Sequence, residues 1–362
     1  MLHFFINLIF FTTSLFAQAA EEKLLNVYNW SNFIPAQIIT QFEKETGIRV
    51  QYDVYDSDQM LDAKLMSGKT GYDIVVPSDS PFFARQIKLG IYQKIDSKKL
   101  KNYRNLDQHI LNELASEDAR NMHAIPWMIT SVGIGYNVTK VKEFAPDAPL
   151  NTLAMIFEPK YVKKLSGCGI SILNSSVDVI SAALVYLGLD PNSSNLEDLE
   201  KAKDLLLKIR PYIREINSSN YISNLANGDI CVAFGFSGDV LQASRRAREA
   251  KNGVDLRFFL PKEGFLIAFD VLAIPKDAPH PENALKFINF LLKPKISAKI
   301  SNGIGYPSAN AASYPFLDAE IRDDKNIFPD SPLLKKSYRS SLQSPKFVRK
   351  RNRVWTSFVN LQ

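Results

Sequence analysis

The residues of this 362-residue chain best suited to chemistry are isolated carboxylates set among apolar and aromatic neighbours. Asp270 stands alone inside Phe265-Leu266-Ile267-Ala268-Phe269-Asp270-Val271-Leu272-Ala273-Ile274, an otherwise apolar, strand-like run. A buried, unpaired carboxylate is costly, so Asp270 requires a donor or a cation, either an internal Lys or Arg or one carried by a ligand. Asp239 follows Ser237-Gly238 at the start of a helix-like segment, where an acidic cap and a ligand contact explain it equally well. Trp30, in Tyr28-Asn29-Trp30-Ser31-Asn32-Phe33, directly follows a strand and reads either as core or as binding surface. Together, aromatics and lone carboxylates at strand ends suit a cationic ligand with an apolar middle. Carboxylates take its ammonium ends, and aromatic faces favour its charges by roughly 0.5–2 kcal/mol per contact.

Catalytic templates fail. Gly68-Lys69-Thr70 resembles the end of a phosphate-binding loop, but the glycine that loop needs five residues earlier is Ala63. Gly235-Phe236-Ser237-Gly238 lacks the spacing of a nucleophile elbow, and no G-x-G-x-x-G follows a strand. The four histidines (His3, His109, His123, His280) are scattered and there is no C-x-x-C, which argues against a zinc site. The reading is of a protein that is not an enzyme, with no catalytic residue, cofactor or metal.

The elements that must position these side chains alternate between strand-like and helix-like. Residues 24–28 form a short apolar strand. Pro35 suits a first helical turn, Ile38, Ile39 and Phe42 make an apolar stripe, and Gly47 stops the helix. A half-buried strand is expected over 48–54, a helix over 58–67 and a buried strand over 72–76, with Ser78-Asp79-Ser80 leaving its carboxyl end. Strands are also expected at 134–138, 169–173, 230–234, 255–260 and 265–274, and helices at 195–210 and from 281 to about 292. This is an α/β pattern, and open α/β sheets bind ligands at the carboxyl ends of their strands.

Length favours two domains, and 46% apolar with 23% charged residues indicates a folded chain. The net charge of +6 is mild and calls for no nucleic acid. The first twenty residues carry no Lys, Arg, Asp or Glu and contain Ala17-Gln18-Ala19, the pattern of a cleaved signal peptide over 1–19; an uncleaved anchor is the competing reading. An exported chain matures in an oxidising compartment, where Cys168 and Cys231 can close one bridge. Residues 346–353 hold Lys346, Arg349, Lys350, Arg351 and Arg353, either a solvated face or a dock for an acidic partner.

Several ordered blocks extend this reading. They include Val27-Tyr28-Asn29-Trp30-Ser31, Phe42-Glu43-Lys44-Glu45-Thr46-Gly47-Ile48, Val75-Val76-Pro77-Ser78 and Gly133-Ile134-Gly135-Tyr136-Asn137. Further on come Leu225-Ala226-Asn227-Gly228-Asp229-Ile230-Cys231-Val232-Ala233, Gly238-Asp239-Val240 and Pro261-Lys262-Glu263-Gly264. With them the chain resembles, from about residue 24 to 356, the periplasmic polyamine-binding proteins of ABC importers, most closely the putrescine-binding type.

The resemblance implies a two-lobed type II periplasmic-binding-protein fold with a ligand cleft between lobes, with 20–128 plus 252–300 in lobe 1 and 129–251 plus 301–362 in lobe 2. It implies a monomer in the periplasm that hands a diamine or polyamine (putrescine, cadaverine or spermidine) to a membrane permease and its ATPase. It places Trp30, Ser31, Phe33 and Ser78 at the ligand from the first lobe, Asp239 and Asp270 on the ammonium-binding carboxylates, Tyr306 on an aromatic wall, and a bridge between Cys168 and Cys231.

Departures from the family pattern are Phe33 for Tyr, Asp178 for Glu, Phe236 for Trp, and Ala268 at a usually aromatic position. These enlarge the slot, and so favour a ligand longer than putrescine or a less selective site. A polyamine sensor docked to a membrane signalling protein, or a binder of another solute such as an amino acid or ferric ion, are the alternative readings.

Overall fold

The computed structural model describes residues 21–329 and 331–361, so the expected leader lies outside the described residues. The first strands follow from alternation and capping. Strand β1 (Leu24–Trp30) pairs in parallel with β2 (Arg49–Tyr55) and β3 (Ile74–Val75), bringing Trp30 opposite Tyr55 at their carboxyl ends. The intervening helix, Ala36–Thr46, turns Ile38 and Phe42 inward and ends at Gly47 in the left-handed region. Pro35 is the extended residue at its cap, one position before the first turn.

The strand expected at 134–138 is the end of a 14-residue strand, β4 (Ala124–Asn137). Its earlier part is buried on both faces and shows no alternation, while Pro126 mimics a breaker; the ladder accommodates it with a register shift. Next come β5 (Ile170–Ile172), β6 (Glu215–Ile216), β7 (Val232–Phe236), β8 (Leu256–Phe259), β9 (Phe265–Ala273) and β10 (Ser337–Tyr338). Strand order is β2-β1-β3-β9-β4-β7-β5-β6, with β8 on β4 and β10 on β9.

Two hydrophobic cores divide this sheet. One gathers Leu25, Phe42, Trp127, Val271, Phe287 and their neighbours, the other Ile134, Phe157, Leu206, Tyr221, Phe234 and Phe358. The antiparallel pair β4–β9 runs through both: Met128 and Phe269 pack in the first, Val132 and Leu266 in the second. The chain crosses between the cores a third time between Ala309 and Phe347, returning to the second.

This packing divides the chain differently from the expected boundaries. Leu256, Phe259 and Leu266, expected in lobe 1, pack in the second core because β8 pairs with β4 beside β7. Ile304, Tyr306 and Ala309, expected in lobe 2, pack in the first. Apolar runs reveal burial but not which core receives it.

The cysteines, both in the second core, form a disulfide with an S–S distance of 2.02 Å. The basic tail lies on the helix Pro345–Asn360; Lys346, Arg349, Lys350 and Arg353 are exposed, whereas Arg351 is buried and donates to Gln343 Oε1 at 2.6 Å. Among the described residues no helix is long and apolar enough to cross a membrane.

Candidate functional site

Between the two cores lies a cavity of about 80 Å³. Trp30 and Ser31 reach it from the end of β1, Ser78 from the segment after β3, and Asp270 from the crossing strand β9. Phe236 closes β7, and Asp239 lies in the first turn of the following helix, Ser237–Ala250. Asp178 occupies the first turn of Ser176–Tyr186, a helix the periodicity did not reveal. With Phe33 and Tyr306, all nine residues singled out for the site line this one cavity.

The hydrogen bonds resolve the open alternatives. Asp239 does not cap its helix. Its two oxygens accept from Tyr306 Oη at 2.6 Å and Tyr221 Oη at 2.7 Å, one tyrosine from each core. Gly238 permits this, because a Cβ there would stand 2.4 Å from the Tyr306 ring. Asp270 accepts from Ser78 Oγ at 3.2 Å and has no basic partner among the described residues. Trp30 is half-buried; its ring packs against Tyr55 at 4.6 Å, and its Nε1 is buried without a hydrogen-bond partner. Phe33 stands edge-on to Trp127 at 5.5 Å and also touches Tyr306, so it serves core and wall together.

Sequence reasoning missed two carboxylates. Asp56 accepts from Ser31 Oγ and, across the cleft, from Ser219 Oγ, both at 2.6 Å. Asp58, half-buried at the start of the helix Asp58–Met66, accepts from the Ser78 backbone N–H at 3.2 Å. Both follow β2, and the strand-end argument applied to Trp30 and Ser78 would have found them. Instead Asp58 read only as a helix start.

The electrostatics are those of an anionic hole. Burial raises the Asp178 and Asp239 carboxyls to about 6 and Asp58 to about 7. Burial, with repulsion from Asp58, Asp79 and Asp239, pushes Asp270 well above the usual range. Arg351 opposes the rise at Asp178, and Arg246 that at Asp239, yet no described Lys or Arg forms an ion pair with any of the four. Asp79, by contrast, is paired with Arg339.

A pH dependence follows. The raised folded-state values mean that these carboxyls favour the empty fold below their unfolded pKa of about 4 and lose that contribution as pH rises through 6–7. The melting temperature of the empty protein is therefore expected to carry a component that falls from about pH 4 to 7.5. Asp178→Asn should flatten that slope, as read by scanning calorimetry; an unchanged slope would mean that Asp178 titrates normally.

Comparison with known proteins places this geometry. Residues 37–329 match the family model described as bacterial extracellular solute-binding protein. The chain is 49% identical to the putrescine-binding periplasmic protein SpuD of Pseudomonas aeruginosa, covering 94% of this chain and 93% of that one. It is 47% identical to the putrescine-binding periplasmic protein PotF of Escherichia coli, covering 93% and 92%. The crystal structure of the spermidine/putrescine ABC transporter substrate-binding protein PotD from Streptococcus pneumoniae superposes with a TM-score of 0.74 at 28% identity, over 93% of this chain and 98% of that one.

Proposed function

From the premise that this chain belongs to the bacterial extracellular solute-binding protein family, we propose that it captures a diamine or polyamine between its two lobes and delivers it to an ABC importer. One observation carries the reading: five carboxylates, Asp56, Asp58, Asp178, Asp239 and Asp270, line one cavity without an ion-pair partner among the described residues. A cationic occupant relieves their desolvation and mutual repulsion without requiring them to take up protons. The apolar walls, Trp30, Phe33, Phe236 and Leu266, suit methylenes between the charges. On this reading Ser31 and Ser78 supply hydroxyls, and Tyr306 holds Asp239 in place.

The protein acts as a periplasmic monomer, exported by the leader at 1–19, and the partner that receives its cargo is a permease with its ATPase. Its relatives are solute-binding proteins, and the reading assigns it binding without catalysis.

Trp30 supplies the test of capture. Of the three tryptophans, it alone lines the cavity; Trp127 is buried in the first core and Trp355 lies on the last helix. Putrescine should change the fluorescence saturably, and most of that change should vanish in Trp30→Phe; a signal unaffected by the substitution would remove Trp30 from the site. Delivery is tested by uptake of labelled putrescine in cells lacking the gene. Intact binding with undiminished uptake would point to sensing.

A further inference from the structure

Four of the carboxylates that line the cavity are linked by repulsion. Asp178 acts on Asp58, Asp58 on Asp270, and Asp239 on Asp270. Asp58 and Asp270 are also joined through one residue, since Ser78 offers its N–H to Asp58 and its hydroxyl to Asp270. Asp58 therefore stands in the cavity wall next to Asp270, with no ion-pair partner among the described residues.

Resting on the polyamine reading above, we infer that Asp58 binds a central ammonium, so that the site is matched to a linear triamine over a diamine. The charge count supports this. A diamine brings two positive charges to the five carboxylates of the cavity and leaves three to be protonated or to repel one another, whereas a triamine leaves two. On this inference Asp178 and the Asp239–Asp270 pair serve the ends, and Asp58 meets the charge between them. In a triamine such as spermidine that charge is a secondary ammonium; in a diamine the same place holds methylenes, and Asp58 faces apolar chain.

A positioning role is the competitor, because Asp58 also opens a helix and holds the Ser78 N–H. Asp58→Asn separates the two, since the amide keeps an acceptor and nearly the same volume and removes only the charge. The experiment is a calorimetric titration of wild type and Asp58→Asn with putrescine, spermidine and 1,8-diaminooctane, the last having a methylene in place of the central ammonium of spermidine.

In wild type, spermidine is expected to bind about tenfold or more tightly than 1,8-diaminooctane, and in Asp58→Asn that ratio should fall to about one. Equal affinity of wild type for spermidine and 1,8-diaminooctane overturns the inference even if the variant does not fold. A parallel loss for all three ligands in the variant overturns it in favour of positioning. Putrescine bound in preference to spermidine overturns it while leaving the polyamine reading standing; binding of none of the three by wild type overturns both.

Discussion

Asp270→Asn is expected to weaken amine binding by roughly 2–5 kcal/mol, at least about thirtyfold, while leaving the empty protein as stable as before or more so. The asymmetry follows from its surroundings. Asp270 is 2% exposed on β9, its carboxyl is driven upward by burial and by three neighbouring carboxylates, and among the described residues its one side-chain partner is the Ser78 hydroxyl. An amide retains an acceptor for that hydroxyl and needs no proton to remain in place, so the empty fold loses little. The bound state loses a desolvated charge contact and leaves an ammonium less well neutralised. Calorimetric titration with putrescine and thermal melting without ligand separate the two effects. A large fall in the melting temperature of the empty variant with affinity retained would make Asp270 a structural residue.

Removing the disulfide with Cys168→Ser and Cys231→Ser is expected to do the reverse. The bridge spans 63 residues of sequence, and closing a loop of that length restrains the unfolded chain by roughly 4 kcal/mol in the entropy model. For a chain of this size the melting temperature should drop by about 6 °C. Amine affinity should hold, because neither cysteine lines the cavity. Intact mass measured without reductant should show the chain short of two hydrogens. Two free thiols in the purified exported protein, or a melting temperature indifferent to the substitutions, would contradict this.

Much of the site was legible because its residues break local rules. Asp270 interrupts an apolar strand, and Trp30 and Ser78 follow strands whose ends face the cleft. Asp178 was visible only through the family resemblance, since an acidic residue in a first helical turn already has a sufficient local explanation. The same explanation concealed Asp58. Asp239 could not be assigned from sequence because its partners, Tyr221 and Tyr306, are 18 and 67 residues away and come from different cores.

Much of the fold was legible where strands alternate or helices are capped. It failed in β4, whose double-sided burial erases periodicity, and at the lobe boundaries. The tail shows the same limit: Arg351 belongs to a run of basic residues, yet it is buried and acts electrostatically on Asp178.

The central claim is that unpaired carboxylates make this cleft a receptor for a multiply charged amine. Calorimetric titration of the wild-type protein at about pH 6, in two buffers of different ionisation enthalpy, tests it most directly. The account predicts saturable one-to-one binding of a diamine or polyamine, with protons released as the ammonium groups drive the raised carboxyls to ionise, and no binding of the diol of matching chain length. Failure to bind any such amine, or equal binding of the uncharged diol without proton release, would contradict it.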